Sequence, residues 1–200
     1  MIANKLKPGD EIRVVAPSRS QAIIWEYAHH HAMHFWKNSG FNLTFSKKCR
    51  ELDKYQSSSI ASRVEDLHEA FRNPDVKMII TSVGGFNANQ LLTYIDYDLI
   101  AQNPKIFCGY SDITILQNAI YSKTGLVTYS GPHYCTFGFD GEPSYTRQAF
   151  LDCLTKDEPL RITPSETAGQ YYVLQEGVCE GIVMRQSLHS KSVARYTLYA

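Results

Sequence analysis

The 200-residue chain has no excess of either charge: twenty Lys and Arg stand against twenty Asp and Glu. Without a field of one sign it offers no footing to nucleic-acid phosphates or an anionic membrane, so neither is expected as a partner. Its apolar runs fall far short of the roughly 20 residues that cross a bilayer. The opening residues, Met1-Ile2-Ala3-Asn4-Lys5, lack the apolar core of a secretory signal. Five cysteines, Cys49, Cys108, Cys135, Cys153 and Cys179, are widely spaced and form no Cys-x-x-Cys pair. That usage fits reduced thiols, and with them a cytoplasmic protein. A Gly-x-Gly-x-x-Gly fingerprint and a Gly-Lys-Ser/Thr phosphate loop are both missing, which argues against a dinucleotide-binding oxidoreductase. Repeats and low-complexity tracts are missing too. What is present, 44% hydrophobic and 12% aromatic residues, suffices for a sizeable core.

Apolar runs and helical periodicities alternate along the chain. Residues 11–16 read as a first strand, ending at Pro17-Ser18. A helix over 23–38 follows, with Ile24, Tyr27, Ala28, His31 and Phe35 on one side, and residues 41–45 alternate as a second strand. His30 and His34, four apart on that helix, have no third ligand near them in sequence and no His-Glu-x-x-His pattern, so no metal is expected. Ser62 reads as the cap of a helix through Val64, Leu67, His68 and Phe71, with Glu65 completing a capping box. Residues 76–83 form the most apolar and β-branched run in the chain, and they end at Gly84-Gly85-Phe86-Asn87-Ala88-Asn89. Further strands are expected at 106–108 and 125–129, with helices at 113–123 and 145–154. This alternation predicts an α/β fold, a mostly parallel sheet with helices on both faces, flavodoxin-like or class I glutamine-amidotransferase-like. That domain spans 1–155. A linker over 156–170 then leads to the incomplete start of a β-containing domain at 171–200.

One short stretch carries the functional expectation. After the strand 106–108 come Gly109-Tyr110-Ser111-Asp112, and apolar residues at helical spacing begin at Ile113. Ser111 therefore sits at a sharp strand-to-helix turn. Such a residue is either an ordinary helix cap or a nucleophile raised clear of a sheet beside unpaired N–H groups. In parallel sheets ligands sit beyond the carboxyl ends of the strands. Ser18, Gly84-Gly85, Ser111 and Gly131-Pro132 all follow strands and can converge there, which favours the nucleophile.

Several of these segments, in this order and spacing, resemble the LD-carboxypeptidase family of serine peptidases, which includes the microcin C immunity proteins. They are Lys7-Pro8-Gly9-Asp10 with Ala16-Pro17-Ser18, residues 63–71, residues 83–92, Asn103-Pro104-Lys105, Gly109-Tyr110-Ser111-Asp112 and Gly131-Pro132. The resemblance implies Ser111 as nucleophile and the backbone N–H groups of Asp112 and Gly85 as an oxyanion hole, with no metal and no cofactor. Gly84, Asn87 and His133 are then candidates for touching substrate. That substrate would be a small murein peptide cut at an L,D bond, or a microcin-like aminoacyl-nucleotide. The Asn87-Ala88-Asn89 turn and Tyr97-Asp98 lean toward the microcin branch. Full-length relatives are expected to be homodimeric.

The family's glutamate and histidine find no counterpart here, and His189 matches no family position. Beyond Glu180-Gly181-Ile182-Val183 the family continues with a Gly-Gly-Asn-Leu turn, whereas residues 185–200 are polar and patternless. Read one base later, under a permitted choice of codons, residues 185–199 become Gly-Asn-Leu-Cys-Thr-Val-Asn-Leu-Leu-Gln-Gly-Thr-Leu-Tyr. That string resembles the family's continuation. The expectation is a frameshift near Met184 that leaves residues 185–200 out of frame, the second domain truncated, and the nucleophile without its proton relay. The alternative is an α/β module that binds a peptide or nucleotide-like ligand without cleaving it.

Overall fold

Five short strands, β1 (Glu11–Val15), β2 (Asn42–Phe45), β3 (Val76–Thr81), β4 (Ile106–Gly109) and β5 (Tyr129–Ser130), pair in the order β2-β1-β3-β4-β5. Every pair is parallel. This computed structural model describes residues 1–139 and 144–158, with Gly177 and Gly181 beyond them. In β3 only Lys77 reaches solvent, and all of β4 is buried. Strands covered on both faces need apolar residues in succession rather than alternation, which is how these two read. The chain moves outward from β1 to β2, then returns to place β3 on the other side of β1. At such a reversal the loops leaving the two strands diverge and open a crevice at their carboxyl ends.

The helices are α1 (Glu26–Asn38), α2 (Ile60–Arg72), α3 (Tyr97–Gln102), α4 (Thr114–Thr124) and α5 (Ser144–Thr155). α2, α3 and α4 pack on one another, while α1 packs against the 3-10 turn Tyr134–Gly138. That second layer is aromatic. Trp36 meets Phe137 and Phe150 edge to face at 5.0 and 6.0 Å, and Phe35 stacks on Phe137 at 4.5 Å. Lys105, just before β4, is buried with its ammonium donating to the carbonyls of Ala70 and Asn73 at the end of α2. A cation there complements the negative end of the helix dipole, while burial lowers its pKa to about 8.

Local details depart from expectation in four places. α1 starts at Glu26 because Ser20 caps a separate 3-10 turn, Gln21–Ile23, that ends in extended backbone at Ile24. Its buried face is Ala28, Ala32 and Trp36, with Tyr27 and His31 outside, since the helix turns its small residues and one indole to the core. Ser59, not Ser62, caps α2; its hydroxyl accepts the Ser62 N–H, which leaves Glu65 free to pair with Lys48. The strand expected over 125–129 shrinks to Tyr129–Ser130, because the Val127 N–H is taken by the Met1 carbonyl outside the sheet. The four described cysteines are free thiols, and Cys108 lies in the core of β4. Residues 159–176 and 182–200, which hold most of the expected linker, the second-domain strands and the proposed out-of-frame segment, lie outside the described residues.

Candidate active site

Ser111 follows β4 at the start of a 3-10 turn, Ser111–Ile113, that runs directly into α4. Its backbone lies in the left-handed region, with φ +60. For an L-residue with a side chain that conformation costs roughly 1–2 kcal/mol, so the surroundings must impose it. Behind it, Gly109 passes so close to Thr81 that an added Cβ would lie 2.3 Å from the Thr81 hydroxyl. Ahead of it, Ile113 is fully buried. Held between these two points, the chain turns sharply and leaves Ser111 exposed. The serine is not a cap: neither the 3-10 turn nor α4 receives a side-chain hydrogen bond at its start. Among the described residues its Oγ is therefore uncommitted, at a helix start whose first N–H groups have no intrahelical acceptor.

Asp112 points the other way, into the protein. Its Oδ2 accepts the Ser18 hydroxyl at 2.6 Å and the Ala88 N–H at 2.9 Å. Ser18 is fully buried and also lies 3.0 Å from Asn87 Oδ1. One carboxylate oxygen thus joins the loops that follow β1, β3 and β4. Gly85 sits directly on this junction, since a Cβ there would lie 2.2 Å from Ser18 Oγ. The Gly85 N–H finds no acceptor among the described residues. Arg63, buried on α2, reinforces the same loops by donating to the carbonyls of Pro17 and Asn87 at 3.2 and 3.1 Å and to Gln90 Oε1 at 2.6 Å. Arg19 Nε adds a bond to the Gly84 carbonyl at 3.2 Å.

Gly84 separates Ser111 from a buried histidine. A Cβ on Gly84 would lie 3.2 Å from both Ser111 Cβ and His133 Nε2, and 3.4 Å from Ser111 Oγ. His133 Nδ1 is 2.6 Å from the Thr81 hydroxyl, and its ring stacks on Tyr110 at 4.2 Å. Its Nε2 is buried with no partner among the described residues. Desolvation holds the His133 pKa near 3, so the ring is neutral and a feeble base at neutral pH.

The structure therefore gathers every residue singled out by sequence, Gly84, Gly85, Asn87, Ser111, Asp112 and His133, around the carboxyl ends of β1, β3 and β4. Asn87 is buried and faces Ser18. Sequence reading missed the joining role of the Asp112 carboxylate, the support from Thr81, and the Arg63 clamp. Arg63 did leave a trace: it shares the buried face of α2 with Asp66, Leu67 and Ala70, a place where a guanidinium needs hydrogen-bond partners, and its two terminal nitrogens find them. The histidines of α1 are occupied locally. His29 Nδ1 lies 2.8 Å from the Tyr134 hydroxyl, His30 approaches Glu26 at 3.7 Å and His34 meets Asn38.

The site is thus a left-handed serine between strand and helix, facing a glycine turn at the crevice of a parallel sheet. Residues 12–131 match the LD-carboxypeptidase N-terminal domain of peptidase family S66. The chain belongs to the LD-carboxypeptidase family. Among curated LD-carboxypeptidase relatives, the putative carboxypeptidase YocD of Bacillus subtilis (strain 168) is 44% identical across the whole chain, which covers 66% of its length. An MccF-like protein from Bacillus anthracis str. Ames, solved by crystallography, is 57% identical with a TM-score of 0.76, over 78% of this chain and 47% of its own. A structure of the microcin C7 self-immunity protein MccF in complex with aspartyl sulfamoyl adenosine is 35% identical with a TM-score of 0.75, over 80% and 48%. The chain thus spans 66% of YocD, and the likeness covers about half of each solved protein. The parallel five-stranded sheet with its helices is the α/β fold of those solved relatives.

Proposed function

We propose that this chain carries the nucleophile of a serine-type carboxypeptidase, with Ser111 attacking an amide carbonyl of a small acyl substrate. The observation that carries the reading is the uncapped, left-handed Ser111 set against Gly84 at the carboxyl end of β4. As Ser111 Oγ bonds to the carbonyl carbon, negative charge develops on the carbonyl oxygen. The N–H groups of Gly85 and Asp112, on the two loops flanking Ser111, would receive it. The seryl proton must pass to a base and then to the leaving amine. His133, with its pKa near 3, is too weak for that task. The family resemblance implies a histidine and a glutamate from a C-terminal domain for that relay.

For the substrate, the MccF complex with aspartyl sulfamoyl adenosine supports an aminoacyl-nucleotide, and the family name supports a murein peptide with an L,D bond. Gly84 and His133 are proposed to shape the seat beside Ser111, with Asn87 holding the glycine turn. Among the described residues no helix is long and apolar enough to cross a membrane. A cytoplasmic location, and a homodimer like the one expected of full-length relatives, are part of the proposal.

The test compares this chain with a version read one base later after Met184, and with the chain mixed with a separately expressed C-terminal region. Substrates are a murein tetrapeptide and aspartyl sulfamoyl adenosine. Hydrolysis in either complemented form, lost in Ser111→Ala, supports the peptidase. Binding with no hydrolysis in any form supports a non-catalytic module instead.

A further inference from the structure

Two of the donors invoked above, the N–H groups of Gly85 and Asp112, lie on different loops, one after β3 and one after β4. An oxyanion site works only if its donors are spaced to a few tenths of an ångström before the substrate arrives. Neither strand end sets that spacing, because both loops leave the sheet before they reach the donors. What crosses between the loops is the Asp112 side chain, through Ala88 at 2.9 Å and through Ser18 at 2.6 Å. Ser18 is buried, its carbonyl is fixed by the Ser57 hydroxyl at 2.6 Å, and its Oγ lies where a Gly85 side chain would begin. Movement of Asp112 therefore moves Ser18, and movement of Ser18 moves Gly85. The same anchor pulls Asp112 inward and so holds Ser111 in its left-handed conformation.

We propose that the Asp112 carboxylate is a positioning residue: with Ser18 it latches the glycine turn to the Ser111 turn and fixes the spacing of the two oxyanion donors. The proposal rests on the reading of Ser111 as nucleophile for its catalytic meaning, and on the hydrogen bonds alone for its structural one. An oxygen in the place of Oδ2 is what the latch requires. Asn keeps one there and can still accept both bonds, whereas Ala removes them.

The experiment measures amide hydrogen exchange at Ala88, whose N–H the Asp112 carboxylate accepts, and the backbone order parameter of Gly85 by NMR in this chain and in Asp112→Ala, Asp112→Asn and Ser18→Ala. Reaction with a fluorophosphonate is followed at Ser111 in the same proteins, each mixed with the separately expressed C-terminal region that supplies the base. Asp112→Ala is expected to speed exchange at Ala88 about tenfold or more, as loss of a charge-assisted hydrogen bond does, and to lower the Gly85 order parameter, while exchange in β3 stays unchanged. Asp112→Asn should restore slow exchange to within about threefold, because the acceptor geometry returns. Phosphonylation should slow in parallel with the exchange change, with the reversible affinity for the probe unaltered. If Asp112→Ala does not fold, Ser18→Ala removes one bond of the latch and should lower the Gly85 order parameter. An unchanged Gly85 order parameter in the folded variants overturns the latch, and so does an Asp112→Asn protein that behaves like Asp112→Ala. If no protein reacts with the probe, the nucleophile reading fails while the exchange data still decide the latch.

Discussion

Between α1 and α5 the protein buries Trp36, Phe137 and Phe150 edge to face, and the sole polar atom among these rings, the Trp36 indole N–H, has no partner among the described residues. At the carboxyl ends of β1, β3 and β4 it buries Ser18, Arg63, Thr81, Asn87 and His133, and joins them by directed hydrogen bonds. The aromatic layer holds by contact area, which is non-directional and forgives small shifts. The polar junction holds by geometry, where a shift of an ångström breaks a bond and strands a buried group. Damage to the first should lower stability and leave the site aligned in whatever fraction stays folded. Damage to the second should misalign the site at smaller cost in stability.

The sharpest separation is expected from Ser111→Ala. It should abolish hydrolysis in the complemented protein and leave the melting temperature within about 2 °C, since the hydroxyl holds nothing in place. Trp36→Ala should show the reverse, a loss of roughly 3–5 kcal/mol in denaturant unfolding with unchanged phosphonylation per folded molecule. Equal loss of both properties in either variant would break the contrast. Gly85→Ala forces a methyl group onto Ser18 Oγ and should cost about 1–3 kcal/mol in the same unfolding assay. Its effect on phosphonylation should exceed what that stability loss explains.

Taken per pH unit, the smallest effects are expected from titration. The His133 pKa is held near 3 in the folded chain, against about 6.5 when unfolded. Between those values the unfolded state binds the extra proton, so this histidine makes stability fall as pH drops below about 6.5, by at most ~1.4 kcal/mol per pH unit. Asp66, buried in α2, has its pKa raised to about 6, so the folded state binds the extra proton between about 3.8 and 6. It adds stability as pH falls through that window. His133→Gln should flatten the acid side of the stability profile and Asp66→Asn should steepen it, both read from denaturation midpoints at pH 4 to 7. Parallel profiles for all three proteins would show that the buried polar groups do not act as placed here.

Much of the fold could be read from residue order. The unbroken apolar runs before Gly84 and Gly109 marked the two most buried strands, because strands covered on both faces have no room for alternation. Expectation failed where a local signal had rivals. In the serine-rich approach to α2, Ser62 read as the cap, and only the observed backbone moves the cap to Ser59. The buried stripe of α1 could rotate by one residue because Tyr27, Phe35 and Trp36 are all apolar on adjoining faces, and packing against both Phe137 and Phe150 selected Trp36. Arg63 escaped notice as a clamp because its partners are mostly backbone carbonyls, which carry no residue identity.

By itself the sequence determined the alternation of strands and helices, the two glycine-bearing turns, and Ser111 at a strand-to-helix junction, because these follow from local periodicity and steric permissions. Only the tertiary structure decided that Ser111 is strained and uncapped, that Asp112 turns inward to Ser18, and that His133 lies buried and neutral beside them. Ser18, Ala88 and Asp112 are far apart in the chain, and the strand order brings their loops to one edge of one sheet. Their roles depend on distances across that edge, and no local pattern of residues encodes such distances.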